Sequence, residues 1–237
     1  LASAMGLLRQ ALAEGGPDSA AIRLQYAGLL LRSGQEAEAR LQLQQLRFDS
    51  QRLNERQRQT MDELAQALAL RDAARARERG DLAAAYEFLA PWLERQPPQP
   101  SVLQELAALY QKAGDQAQAL DLYRQGLAEQ PDNVDAITGA AGAAMELGEH
   151  DYVQNLLDNA LRRQPDDARL YALRGRLARA RGADRQAMQD LNKALALGAR
   201  SANGDARSGA GLLLIERGGG AYLPPRQLAG AAPRAVA

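Results

Sequence analysis

Cysteine is absent from this chain of 237 residues. Its absence excludes a disulfide framework and a thiolate metal centre, and it fits the bacterial periplasm and the cytosol equally well. Histidine occurs once, as His150, so a metal site would need other good ligands beside it. Lysine is nearly missing: Lys112 and Lys193 stand against 27 arginines. No surplus of charge of either sign exists, because Lys plus Arg equals Asp plus Glu at 29 each. A nucleic-acid binder ordinarily carries a basic excess, since phosphate contacts dominate its affinity, so nucleic acid is not an expected partner. Aromatic residues make up 4% of the chain, few for a protein that stacks sugar rings. No apolar run approaches the ~20 residues needed to span a bilayer; the run at 211–215, Gly-Leu-Leu-Leu-Ile, is far too short. Leu1 is followed by no charged-then-apolar leader, so the sequence reads as a mature or excised piece.

What is present is a period. Gly80, Gly114, Gly148 and Gly182 recur at a constant interval of 34, and Gly34 precedes Gly80 by one period plus 12. Other positions keep the same register. Seven residues before the glycines stand Ala27, Ala73, Ala107, Ala141 and Gly175. Five residues after them come Ala39, Ala85, Ala119, Val153 and Ala187, and nine after them Leu43, Leu89, Tyr123, Leu157 and Leu191. Pro97, Pro131 and Pro165 follow at seventeen. Each period reads as two helices joined at the glycine, which supplies the backbone freedom of a tight turn. Small residues let the two helices cross closely. Larger ones such as Leu103, Leu106, Tyr110 and Tyr123 fill the space between repeats. Proline stops the second helix, and Asp132, Asn133, Asp166 and Asp167 stand where the next one needs an N-cap. The expected fold is an all-α, right-handed α-solenoid of about eleven helices.

The register divides the chain as follows: a partial repeat at 1–17 (second helix only), repeats at 18–47, 66–99, 100–133, 134–167 and 168–197, an insertion at 48–65, and a tail at 198–237. The insertion accounts for the excess in the first interval, and 53–79 has the composition of one long helix, with Asp49 and Asn54 as available caps. A stack of identical geometry cannot absorb this length unchanged, so a hinge between two arms is expected near 48–65. Pro91, just before Trp92, falls inside a second helix, where it removes a hydrogen bond and favours a kink. The tail holds eight of the 21 glycines, three prolines, five arginines and two acids. It reads as a linker with a short ordered piece at Leu212 to Ile215.

No catalytic constellation emerges. His150 lacks a nucleophile or partner and reads as a turn residue. Asp166 and Asp167 lack the spaced ligands and central glycine of a calcium loop. Gly218, Gly219 and Gly220 lack a following Lys-Ser/Thr, so they read as a spacer and not as a phosphate cradle. No Ser or Lys shows a nucleophile signature, and no cofactor is implied. Solenoids bind through their concave face. First-helix positions 13, 10, 6 and 3 before each glycine should line it. The apolar end then holds Leu24, Gly28, Leu31, Leu70, Ala74 and Arg77. The polar middle holds Ser101, Gln104, Ala108, Gln111, Thr138, Gly142 and Met145, and the basic end Arg169, Arg176 and Arg179. The candidate partner-binding residues are Gln104, Gln111, Thr138, Met145, Arg169, Arg176 and Arg179.

Leu106-Ala-Ala-Leu-Tyr110, Gly114-Asp115, Ala119, Tyr123 and Pro131 resemble the tetratricopeptide family, over about 18–197. The carboxylate clamp of the chaperone-binding members is not matched, since its places hold residues such as Leu24, Gly28, Arg71, Glu105, Gly139 and Leu173. Three stretches resemble the periplasmic repeat region of the bacterial cellulose synthase C subunit. They are Ile22-Arg-Leu-Gln-Tyr-Ala27 with Gly34-Gln-Glu-Ala-Glu-Ala-Arg40, then 79–93 with its Leu-Ala-Pro-Trp-Leu, then Leu109-Tyr110 through Pro131-Asp-Asn133. That resemblance implies a non-catalytic periplasmic scaffold with protein partners in cellulose export, while the scarcity of free aromatics implies at most weak contact with polysaccharide. The alternative is a scaffold of another exopolysaccharide secretion or cell-envelope complex.

Overall fold

A computed structural model describes residues 2–14, 19–48, 53–95 and 97–204. Among them are eleven α-helices and no strand: α1 Ala2–Glu14, α2 Ser19–Arg32, α3 Glu36–Phe48, α4 Glu55–Glu78, α5 Leu82–Leu93, α6 Pro100–Ala113, α7 Gln116–Glu129, α8 Val134–Glu146, α9 His150–Arg163, α10 Ala168–Ala180 and α11 Asp184–Gly204. The periodic glycines sit in the turns and take positive φ, from 73° to 91°. A Cβ added at any of the five would meet nothing within 4 Å. Backbone conformation, not lack of room, therefore selects glycine there. The caps follow the sequence. Asp81 accepts from Ala84 N–H at 3.1 Å and Asp115 from Gln118 N–H at 3.0 Å. Asn133 and Asp167 cap α8 and α10. Helices α7 and α9 end one residue before Gln130-Pro131 and Gln164-Pro165, where proline cannot continue them.

The chain forms two compact units, Leu1–Gly148 and Glu149–Ala237. In the first, the first helices α2, α4, α6 and α8 touch in succession, and each second helix bridges its own first helix and the next one. The small periodic residues are fully buried: Ala27, Ala73, Ala107 and Ala141 at 0% exposure, and so are Ala39, Ala85 and Ala119. The insertion is spent as helix. α4 runs for 24 residues from an Asn54 capping box closed by Gln57. Leu53, Met61 and Leu68 of this stretch share one apolar cluster with Met5, Leu24, Leu30, Leu43 and Leu46. A charge network ties α4 to α3: Glu36 meets Arg71 at 3.1 Å and Arg75 at 2.5 Å, while buried Asp72 meets Arg40 and Arg75, each at 2.6 Å. Arg71 also donates to the Leu31 carbonyl at 2.8 Å. Pro91 does lie inside α5, near its end. Arg95 stacks over the Trp92 ring at 4.6 Å and pairs with Asp62 at 2.9 Å.

The second unit comprises α9, α10 and α11. Gly175 lets α10 and α11 approach: a Cβ there would stand 2.9 Å from Leu191 Cγ and 3.2 Å from the Ala187 carbonyl. Buried Asp190 accepts from Arg174 Nε at 2.9 Å and Nη2 at 2.6 Å. α11 differs from the sequence expectation, because it runs through Gly198 to Gly204. Its physical reason is the missing stop: seventeen residues after Gly182 stands Ala199, where α7 and α9 meet proline. Pro17, Asp49 and the tail from 205 onward, with its apolar run, lie outside the described residues.

Candidate partner-binding surface

The succession α2–α4–α6–α8 places the inner positions of the first helices on one face of the first unit. Gln104 and Gln111 are half-buried on α6, with Thr138 exposed and Met145 half-buried on the adjoining α8. Their polar atoms are not idle. Gln104 Oε1 accepts from Asn133 Nδ2 at 2.9 Å, and Gln111 Oε1 accepts from the Tyr123 hydroxyl at 3.3 Å. Thr138 Oγ1 donates to the Val134 carbonyl of its own helix at 2.8 Å. Gly142 gives Gln111 its room, since a Cβ there would sit 3.2 Å from Gln111 Nε2. Ser101 stands within 3.4 Å of Gln66, whose amide also donates to Gln99 at 2.8 Å.

One group of this face is not evident from the register. Arg77 Nε donates to Glu105 Oε1 at 2.8 Å, with both side chains largely covered. Burial pushes the Glu105 carboxyl above its usual range, and the Arg77 guanidinium opposes that push. Burial likewise pushes the neighbouring Tyr123 hydroxyl up to about 12. Arg77 and Glu105 come from different repeats and occupy different register positions, so no periodic signal links them. Each is the only charged residue of its sign at its register position in the first unit, which is the one hint available. The face therefore offers a positive guanidinium held by a carboxylate, flanked by two amides, with glycines instead of bulky side chains at Gly139 and Gly142. The glycines leave no open pocket, since the Tyr123 ring lies over Gly139 and the Gln111 amide over Gly142, so this face can meet a partner through its polar side-chain atoms.

Arg169, Arg176 and Arg179 are exposed on α10 of the second unit. Arg169 pairs with Asp167, the N-cap of its own helix, at 2.9 Å. The seven candidates thus fall on three helices: α6 and α8, which are in contact, and α10. His150 is the half-buried first residue of α9. Among the described residues no three acidic or histidine side chains gather as a metal site, and no helix is long and apolar enough to cross a membrane.

A family model described as tetratricopeptide repeat matches residues 111–177. A tetratricopeptide repeat protein of Parabacteroides merdae ATCC 43184 superposes with a TM-score of 0.50 at 16% identity, covering 91% of each chain. YrrB, a TPR protein with an unusual peptide-binding site, gives a TM-score of 0.51 at 13% identity over 80% of this chain and 91% of its own. Residues 111–177 match the tetratricopeptide repeat, and the described helices have the fold of a tetratricopeptide solenoid. At these identities the solved structures speak for the fold alone. Among curated proteins, cellulose synthase operon protein C of Xanthomonas axonopodis pv. citri (strain 306) is 36% identical over 107 residues. That stretch is 45% of this chain and 7% of the relative. A tetratricopeptide array of this kind is a protein-interaction scaffold: its inner helices present side chains along a continuous face, and its outer helices hold their spacing.

Proposed function

We propose that this chain is a non-catalytic periplasmic scaffold of bacterial cellulose synthesis and export. In this reading it takes protein partners from the synthase complex or the outer envelope. The observation that supports the reading most is the likeness of 107 residues to cellulose synthase operon protein C, together with the Leu-Ala-Pro-Trp-Leu segment, whose proline lies inside α5. A scaffold needs a face and a fixed spacing, and the first helices supply both. Partner contact in this reading runs over Gln104, Gln111, Thr138 and Met145 on the first unit and over Arg169, Arg176 and Arg179 on the second. The face carries protein more readily than glucan. Trp92 is occupied by Arg95, and Tyr123 and Tyr26 are buried with their hydroxyls bonded, which leaves few aromatic platforms for sugar.

The test is genetic and topological. In a cellulose-producing bacterium that encodes this chain, an in-frame deletion of its repeats should stop cellulose from appearing outside the cell while membranes still polymerise UDP-glucose. An epitope placed in the turn at Lys112-Ala-Gly114 should become protease-accessible in spheroplasts with an intact inner membrane. Normal cellulose secretion by the deletion strain, or protection of the epitope, would overturn the reading.

A further inference from the structure

The helix pair α10 and α11 leaves a mixed apolar and basic face uncovered. On α11, Met188, Leu191 and Leu195 are 56%, 37% and 52% exposed. They stand at i, i+3 and i+7 and so share one helix face. On α10, Arg176 and Arg179 are exposed, and among the described residues neither has an ion-pair partner. The two sets adjoin: Leu191 reaches α10 at Gly175, where a Cβ would stand 2.9 Å from its Cγ, and Gly175 is one turn before Arg179. The first unit holds the same arrangement with its cover in place. Arg77, Leu89 and Leu93 stand about Gly80 as Arg179, Leu191 and Leu195 stand about Gly182, and no other repeat has Arg, Leu and Leu at these three places. There α6 packs on both α4 and α5. Leu89 falls to 0% exposure, and Arg77 Nε donates to Glu105 Oε1 of α6 at 2.8 Å.

We propose that this face of α10 and α11 receives an amphipathic α-helix of a partner protein, its apolar stripe over Leu191 and Leu195 and a carboxylate against Arg179, as α6 sets Glu105 against Arg77. Charge selects this occupant. A purely apolar helix laid here would strip water from the Arg179 guanidinium without replacing it, which is costly. An acid on the incoming helix restores the lost partner with a charge-assisted hydrogen bond. Arg176 stands where the first unit has Ala74, so a helix with a second acid about one turn from the first fits better still. A second copy of this chain fits worse. Of the two acids on α11, Asp190 is already held by Arg174 at 2.6 and 2.9 Å. Asp184 is the first residue of the helix, so an antiparallel α11 of another copy sets it at the far end of the stripe from Arg179. The proposal rests on the scaffold reading only in taking a protein as partner, and it does not depend on cellulose.

The probe is a fluorescein-labelled synthetic peptide of residues 99–115, which carries the α6 sequence with Glu105, added to the full chain. Its fluorescence anisotropy should rise saturably. Leu191→Asp in the full chain should weaken binding about tenfold or more, because it places a charge under the apolar stripe. Arg179→Glu should weaken it about fivefold or more, because it sets two acids against each other. A peptide with Glu105→Arg should then bind the Arg179→Glu chain about fivefold more tightly than the unaltered peptide does. Both replaced side chains reach solvent, so circular dichroism should show the variants folded. Absence of saturable binding, binding indifferent to either chain variant, or a loss at Arg179→Glu that the swapped charge does not rescue would each overturn the proposal. So would a dimer of the unaltered chain in sedimentation that Leu191→Asp dissociates, by showing that a second copy covers the face. Cellulose secretion by the deletion strain is read separately, so either proposal can fail while the other stands.

Discussion

Gly139 on α8 lies beneath the ring of Tyr123, and Gly139→Ala tests whether the inner face is as tightly packed as the structure indicates. A Cβ at Gly139 would stand 2.6 Å from Tyr123 Cε1 and closer still to Cζ and the hydroxyl oxygen. The ring has little freedom to yield. It is 4% exposed, and its hydroxyl donates to Gln111 at 3.3 Å. Two effects oppose one another. Replacing glycine by alanine inside a helix favours folding by about 0.5–1 kcal/mol, whereas overpacking a filled site costs about 1–3 kcal/mol. Contacts below 3 Å put the overpacking cost in the upper part of that range, at about 2–3 kcal/mol, so the clash wins and the expected net loss is about 1–2.5 kcal/mol. At about 2–4 °C per kcal/mol for a chain of this size, thermal unfolding followed by circular dichroism should show a Tm lowered by about 2–10 °C. Gly28→Ala is the control, because its nearest contact would be Leu64 Cδ2 at an ordinary 3.8 Å, and it should leave Tm unchanged or raise it. In a Tyr123→Leu background the cost of Gly139→Ala should vanish. A Gly139→Ala variant as stable as Gly28→Ala, or equally harmful with and without the Tyr123 ring, would refute the packing described.

Other outcomes follow from the same geometry. Ala141→Leu, at a site with 0% exposure, should cost about 1–3 kcal/mol and lower Tm clearly more than Gln111→Leu on the half-buried inner face; equal effects in a melting experiment would count against the register. The Tyr123 hydroxyl is raised from 10.0 to about 12. The stability it contributes is therefore complete below pH 10 and declines as pH rises towards about 12, by about 2–3 kcal/mol at most. Denaturant unfolding should show a shallower decline over that interval for Tyr123→Phe, and identical slopes would remove the burial argument. Calorimetry with soluble cello-oligosaccharides should give millimolar affinity or weaker, and a micromolar Kd would make the inner face a glycan channel. The joint proposed at 48–65 is held by Glu36 with Arg71 and Arg75, so Glu36→Gln should broaden spin-label distances between Gln44 and Lys112; an unchanged narrow distribution would sink the idea of a hinge there.

The helical scaffold is legible in the sequence because it rests on backbone and volume, which leave periodic traces. A turn that needs positive φ selects glycine at Gly34, Gly80, Gly114, Gly148 and Gly182, and full burial at a site of small volume selects alanine at Ala73 and Ala107. Both constraints act at every repeat. Polar pairing acts only once. Asp72 is buried because Arg40 and Arg75 reach it, and Asp190 because Arg174 does. In the linear sequence these acids occupy positions that look merely exceptional. The inner-face residues fall between these cases. Register places Gln104 and Gln111 on the face, but the partners Asn133 and Tyr123 that hold their oxygens come from a loop and a second helix that follow no common spacing with them. The reach of α11 escapes the register for a simpler reason: Gly198 reads as a break, although a single glycine costs a helix only about 1 kcal/mol and no proline follows it.

Each helix of the first unit packs against its near neighbours along the chain, α2 with α1, α3 and α4, or α6 with α4, α5, α7 and α8. Among the described residues no packed pair of helices joins one end of that unit to the other, so its stability is a chain of nearest-neighbour terms and not a single global quantity. Segments can then open one at a time, and native-state amide exchange would report a gradient of protection along the helices in place of one cooperative value. Evolution meets the same freedom in another form. A duplication or loss of one whole repeat disturbs two interfaces and leaves the others untouched, so the length of such an array can drift to match the distance it has to cover.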